Sequence, residues 1–364
     1  MTILYFIFLL GIFALCFYVM AQICNQYFIV SLDKIAKRLK LPKDIAGATL
    51  MALGSSMPEF FCVVMALTKA GHHENIGAGT VVGSAIFNVL VIIGISSFFF
   101  RGTLKWQPIV RDMFFYGISI LLLLAAFRDG QIDLSEATLF IVIYILYLFV
   151  LIFWKKFYPY KRKDVIEEVD EELDRREKQD CKNGPLGHLF CYINKFIGII
   201  FPDPEKKEKN VAWAFVLSLA AIAGISWILV DTAIRMAGII GVSDSIIALT
   251  ILALGTSVPD MIDSLIIAKK GRGDMAISSA IGSNIFDILF AFGLPWFVYI
   301  LIKGDLVVST ENLVSSIFLL GATVFVLFFL LLARKFHVGR KSGLFLIALY
   351  FIYLGFIIWE AIGM

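Results

Sequence analysis

Charged residues are scarce in this chain of 364 residues: Asp, Glu, Lys and Arg together make up 17%. A soluble globular domain carries about a quarter of its residues ionised, so that class is excluded. Histidine occurs four times and cysteine five. The cysteines, Cys16, Cys24, Cys62, Cys181 and Cys191, are odd in number and follow no metal-ligand spacing, so they read as plain membrane or loop residues. A net charge of +3 singles out no partner, and no nucleic-acid contact is expected.

What fills the chain instead is hydrocarbon. Hydrophobic residues reach 60%, 34 of them phenylalanine, and mean hydropathy is +0.88. These values describe a polytopic membrane protein whose principal partner is the bilayer. Apolar runs long enough to cross a hydrocarbon core of about 30 Å are expected near 3–31, 43–69, 77–100, 108–127, 135–157, 211–236, 244–268, 274–302, 309–333 and 343–362. The first run has no basic residue before it and exceeds a signal-peptide core, so it reads as a retained span.

Two segments recur. Ala48-Thr-Leu-Met-Ala-Leu-Gly-Ser-Ser-Met-Pro-Glu59 returns as Leu249-Thr-Ile-Leu-Ala-Leu-Gly-Thr-Ser-Val-Pro-Asp260, and Gly83-Ser-Ala-Ile-Phe-Asn88 returns as Gly282-Ser-Asn-Ile-Phe-Asp287. The offset is 201 from Gly54 to Gly255 and 199 from Gly83 to Gly282, so the copies differ by two residues of connection. The expected fold is therefore all-α, with ten transmembrane helices arranged as two five-helix repeats over 1–158 and 210–364, joined by a loop at 159–209.

Basic residues orient the spans. With the amino terminus outside, the inner loops hold 28 Lys and Arg and the outer loops four, Lys69, Arg128, Arg235 and Lys303. Without the central loop the count is still fifteen to four, a firm positive-inside signal. Both termini should face out and the central loop should be cytoplasmic, most simply in the plasma membrane. Five spans per repeat then thread the Glu59 and Asp260 helices in opposite directions. Inverted halves that bring interrupted helices to the bilayer midplane are a recurring plan of secondary transporters.

Ionised groups at membrane depth cost about 2.5 to 3.5 kcal/mol on insertion scales and mark ion or proton pathways. Here a carboxylate follows proline twice, at Glu59 and Asp260. Pro58 and Pro259 cannot donate to the carbonyls of Gly54 and Gly255, so free carbonyl oxygens are expected. Hydroxyls at Thr49, Ser55, Ser56, Thr250, Thr256 and Ser257 complete an oxygen-only set with no nitrogen or sulfur ligand nearby. Hard cations such as Ca²⁺ and Na⁺ suit such a set; zinc and copper do not. Ser84 with Asn88, and Ser283 with Asp287, are four residues apart and share a helix face that can meet the broken helix.

Both blocks resemble the alpha repeats of the cation/calcium exchanger superfamily. The second copy is most similar to the potassium-dependent sodium/calcium exchangers, through Gly255-Thr-Ser-Val-Pro-Asp260, Gly273-Asp-Met-Ala, Gly282-Ser-Asn-Ile-Phe-Asp287-Ile-Leu and Gly293-Leu-Pro-Trp296. The resemblance implies an antiporter, not an enzyme, with no cofactor beyond the transported ions and a monomeric transport unit. It implies that Glu59 and Asp260 are the central Ca²⁺ ligands. Ser55, Ser56, Thr256, Ser257, Ser84, Ser283, Asn88 and Asp287, with the carbonyls of Ala52 and Ala253, would complete the Na⁺ and Ca²⁺ positions.

Two carboxylates neutralise one Ca²⁺, and adding Asp287 leaves one negative charge that a K⁺ ion would balance in the same cavity. Potassium-independent relatives of animals usually carry asparagine there, as Asn88 stands in the first half. A carboxyl kept protonated by burial would need no potassium, so H⁺/Ca²⁺ and potassium-independent Na⁺/Ca²⁺ exchange are the alternatives. An intramembrane aspartic protease would need no ring of hydroxyls, and a channel would show no saturable counterflow.

Asp263 departs from the family pattern; it would either line an inner vestibule or only meet water at a wide cavity mouth. The central loop reads as an acidic helix over Asp164–Asp180 followed by an amphipathic stretch, Cys191–Ile200, suited to the inner membrane surface. His72 and His73 read as a solvated pair in an outer loop, and Asp231 with Arg235 as an i, i+4 pair.

Overall fold

The computed structural model describes residues 2–38, 51–69, 73–157, 184–206, 208–308, 310 and 313–362. It is almost wholly helical, and we number the helices in chain order. The first, α1, runs over 2–38, with a widened π-turn at Cys24–Ile29. Next come α2 (Met51–Ser55), α3 (Met57–Thr68), α4 (Glu74–Phe99), α5 (Trp106–Ala126) and α6 (Leu134–Phe157). After α7 (Gly184–Ile200) follow α8 (Glu208–Ile240), α9 (Asp244–Thr256), α10 (Val258–Lys269), α11 (Gly273–Lys303), α12 (Leu313–Ala333) and α13 (Arg340–Ile362).

Among the described residues, eight helices are long and apolar enough to cross a membrane, and the bent pair α9 and α10 makes a ninth. The expected span at 43–69 falls partly outside the described residues; from residue 51 it is the broken pair α2 and α3. Helix α1 outruns its expected end at residue 31. Its last turns, Val30–Arg38, change from uniformly apolar to amphipathic, with Asp33 paired to Lys37 at 2.7 Å, as suits a helix leaving the hydrocarbon.

The chain is mostly helical, as expected, but its connections are not all coil. Strands β1 (Gly102–Thr103) and β4 (His337–Val338) pair antiparallel, as do β2 (Gln131–Ile132) and β3 (Leu306–Val307). Two residues carry no readable alternation, so hydropathy could not announce these ladders. β1 precedes α5 and β2 follows it, whereas β3 precedes α12 and β4 follows it. The ladders therefore clip the two ends of an antiparallel α5–α12 pair, which also packs directly.

The long helices α1 and α8 lie antiparallel too. Phe28 stacks on Phe215 at 5.3 Å, Met20 meets Ser226, and Arg38 reaches Glu208 at 3.3 Å. Their outward faces, with Leu4, Ile7, Phe8, Trp213 and Val216 exposed, suit contact with lipid tails. The polar core lies elsewhere, on α4 and α11, which are almost fully buried around Ser84, Asn88, Ser283 and Asp287.

Helix α7 packs along α1: the Tyr18 hydroxyl donates to Asn194 at 3.0 Å and its ring meets Phe190. Tyr192, Phe196 and Ile199 stay exposed on its other face, the amphipathic pattern expected of this stretch. The expected acidic helix at Asp164–Asp180 lies outside the described residues, as do Cys181, Thr49 and His72. Cys16, Cys24 and Cys62 are buried free thiols, but Cys191 is disulfide-bonded and so departs from the plain reading of the cysteines.

Candidate functional site

Proline places the breaks. Pro58 and Pro259 each occupy the first turn of the second half-helix, where a missing N–H costs nothing, so α3 and α10 restart there. The joints have nearly the same backbone, Ser56 at φ −91°, ψ 2° and Ser257 at φ −87°, ψ −3°. At the second the axis bends by 43°. Helix α1 lies against both breaks: a Cβ at Gly54 would overlap Ile29, and one at Gly255 would overlap the Phe17 ring.

The carbonyl of Gly54 is not left free, contrary to the expectation from Pro58, because the Cys24 thiol of α1 donates to it at 3.1 Å. The carbonyl of Ala253 accepts from the Ser257 N–H at 3.3 Å and the Thr256 hydroxyl at 3.2 Å. Ala52 lies in α2, and Ala253 opens the last turn of α9.

Around the joints the polar side chains interlock across the two halves. The Ser84 hydroxyl lies 3.2 Å from Glu59 Oε1 and 2.7 Å from Ser257 Oγ. The Thr256 hydroxyl faces the Glu59 carboxylate, and the Ser55 hydroxyl faces that of Asp260. These two contacts exchange equivalent residues of the repeats. Ser56 lies near Asp287 without hydrogen-bonding it. Glu59 lies within electrostatic reach of Asp260, and Asp287 of both. Glu59 and Asp287 are each 1% exposed, Asp260 is 8%, and Ser56, Ser84, Asn88, Thr256 and Ser257 are fully buried.

One oxygen of Glu59, one of Asp260 and both of Asp287 have no hydrogen-bond donor among the described residues. Buried acceptors of this strength are normally satisfied, so the set is suited to a cation. Among the described residues no three His, Cys, Asp or Glu side chains converge as a metal cage. The pocket is chiefly carboxylate plus hydroxyl, as hard cations require, although the buried Cys24 and Cys62 thiols lie near it, contrary to the expected absence of sulfur.

The structure thus brings Glu59, Asp260, Asp287, Ser55, Ser56, Ser84, Thr256 and Ser257 together. Ser283 lines the same region, although its hydroxyl donates to the Ala280 carbonyl at 3.2 Å. Thr250 does not join: its hydroxyl donates to Ile246 of its own helix at 2.6 Å. A narrow cavity runs from Ser55, Asp260 and Ser283 past Asp263 and Ser264 to Ile267, towards the Lys269 end of α10. Asp263 lines this cavity.

At the opposite end charged and polar side chains pair across the two halves. Asp231 holds Arg235 at 2.8 Å, as expected, and also Lys69 at 2.7 Å, whose ammonium sits 3.8 Å from the centre of the Trp227 ring. His73, expected to be solvated, instead pairs with Asp244 and is only partly exposed.

Two further features escaped the sequence reading. Asn284 joins Asn88, Ala85 and Tyr116 through hydrogen bonds. Arg111, counted above among inner-loop charges, is 4% exposed and bonded at 2.7 Å to Asp112, which also accepts from Tyr147 and Ser278 at 3.3 Å. The adjacent Arg-Asp pair was the available signal for the latter.

The sodium/calcium exchanger protein family model matches residues 6–153 and 210–359. Human sodium/potassium/calcium exchanger 4 is 27% identical over 93% of this chain and 79% of its own length. Human exchanger 5 is 28% identical over 90% and 78%, and chicken exchanger 1 is 26% identical over 93% and 76%. A solved structure of the sodium-calcium exchanger NCX_Mj, soaked with Na⁺ and Sr²⁺, covers 96% of this chain and 98% of its own at 21% identity and a TM-score of 0.57, a likeness of fold. All of these are exchangers rather than enzymes. The chain belongs to the sodium/calcium exchanger family within the cation/calcium exchanger superfamily, where it is most like the potassium-dependent sodium/calcium exchangers.

Proposed function

We propose that this antiporter moves Ca²⁺ together with K⁺ against Na⁺ by alternating access. Its Ca²⁺ is held between Glu59 and Asp260, and the remaining charge sits on Asp287. The observation that carries this reading is the Ser84 hydroxyl of the first half, which lies 3.2 Å from Glu59 and 2.7 Å from Ser257 of the second half. A site built by both halves couples its occupancy to their relative position. Na⁺ and Ca²⁺ compete for the same oxygens, so neither fills the pocket while the other is bound, and mutual exclusion yields exchange.

The antiparallel pairings of α1 with α8 and of α5 with α12 support an inverted arrangement of ten spans, since each pair joins equivalent helices. Basic residues then put the cavity past Asp263 on the cytoplasmic side and the Lys69–Asp231 and His73–Asp244 pairs outside, with both termini outside the plasma membrane. Ion binding cancels the buried carboxylate charge. That lets α1 and α8 slide across an apolar bundle, whereas an empty, charged site resists the movement.

Potassium coupling rests on the charge of Asp287 and on the resemblance to exchangers named for sodium, potassium and calcium. Purified protein in proteoliposomes, loaded with Na⁺ or H⁺ and assayed with and without external K⁺, separates the possibilities by uptake of radiolabelled Ca²⁺. The expected result is Na⁺-driven uptake stimulated by K⁺, with the stimulation lost and Ca²⁺ transport retained in Asp287→Asn. Persistent K⁺ stimulation in that variant, or uptake driven by H⁺ alone, overturns the assignment.

A further inference from the structure

Asn88 and Asp287 occupy equivalent positions of the repeats but differ in one respect that matters to a cation. A carboxylate presents oxygen whichever way it turns, while an amide presents either an oxygen that attracts a cation or an NH₂ that repels it. The orientation of Asn88 is fixed by its neighbours. A side-chain atom of Asn284 lies 3.1 Å from the backbone carbonyl of Ala85, and that carbonyl can only accept. The atom must therefore be the Asn284 nitrogen, which also donates to the Tyr116 hydroxyl at 2.9 Å.

Its oxygen is then directed at Asn88, 2.8 Å away, so Asn88 must answer with its own NH₂. The Asn88 oxygen is thereby turned the other way, fully buried and without a donor among the described residues. Asn88 lies one turn along α4 from Ser84, whose hydroxyl is on Glu59. The chain from the Ala85 carbonyl through Asn284 to Asn88 holds regardless of how amide atoms are assigned, because it starts from a backbone acceptor.

We propose that Asn284 is a positioning residue that locks the Asn88 amide with its oxygen towards the transported cation. The inference rests on the Na⁺/Ca²⁺ site proposed above and adds a residue that acts through a ligand rather than as one. It accounts for an asymmetry of the repeats. The position equivalent to Asn284 in the first half is Ala85, and the residue it would orient is Asp287, a carboxylate that needs no orienting. Asn284 instead meets Ala85 itself, its counterpart in the other half, where the halves cross.

The test is a two-by-two comparison of native protein, Asn284→Ala, Asn88→Asp and the double variant, reading the apparent KM and maximal rate of Na⁺-driven Ca²⁺ uptake in proteoliposomes. With Asn88 present, loss of Asn284 should raise the KM for Ca²⁺ by about tenfold, the scale of one oriented polar contact, while the maximal rate changes less than about twofold. In the Asn88→Asp background the same loss should not raise KM, because a carboxylate has no wrong way round and cannot donate to the Asn284 oxygen that faces it. Equal KM shifts in both backgrounds, or none in the native one, overturn the inference while leaving the exchanger reading intact. Absence of Ca²⁺ uptake by the native protein overturns the reading itself. Asn284→Ser, read in the same two backgrounds, decides the matter should Asn284→Ala not reach the membrane.

Discussion

Gly83 shows how closely single residues set this site. A Cβ there would sit 2.5 Å from the Leu249 carbonyl oxygen and 2.6 Å from the Ala253 Cβ, so α4 crosses the broken helix α9 at backbone contact. The next residue, Ser84, then reaches Ser257 and Glu59. Gly83→Ala must push α4 away; overpacking of this kind costs about 1–3 kcal/mol. A lowered melting temperature in detergent and loss of Ca²⁺ uptake are expected, whereas Gly224→Ala, with open space around it, should leave both near native. Native uptake by Gly83→Ala would show that the crossing is looser than described. At this scale the carboxylates were legible because an acid in an apolar run has no bland explanation repeated twice. Asn284 was not, since its role depends on which carbonyl it meets, and hydropathy cannot rank the faces of a fully buried helix.

At the scale of elements, the breaks at Ser56 and Ser257 followed from proline, but the widened π-turns did not. Asn88–Ile92 and Asp287–Ala291 each begin at a candidate site residue, and Ala248–Leu252 precedes the break in α9. Such turns gather at functional sites and leave no mark in residue spacing. The buried Arg111–Asp112 pair ties α5 to α6 through Tyr147 and to α11 through Ser278. Removing one partner strands the other charge, so Asp112→Ala should destabilise the protein by about 3–5 kcal/mol. Denaturant unfolding in detergent measures this, and a native midpoint would mean that Arg111 is solvated or neutralised elsewhere. Positive-inside counting did not reveal that Arg111 is buried, because a basic residue near a span end looks the same whether it meets water or a buried acid.

For the whole molecule, length, hydropathy and the duplicated segments were enough to anticipate a polytopic helical protein, and polar residues of both duplicated segments do lie together. The antiparallel meeting of α1 with α8, and the ladders clipping α5 to α12, are tertiary facts that no single span encodes. Nor did the segment between α3 and α4 betray that Lys69 and His73 pair with Asp231 and Asp244, since partners more than 160 residues apart leave no local pattern. The account stands on one acid from each half sharing a cation. The most direct measurement is Ca²⁺ accumulation in Na⁺-loaded proteoliposomes by native protein, Glu59→Gln and Asp260→Asn. Accumulation by native protein that collapses with the Na⁺ gradient, and falls to the level of protein-free liposomes in either variant, is predicted; gradient-driven accumulation surviving in either variant would contradict it.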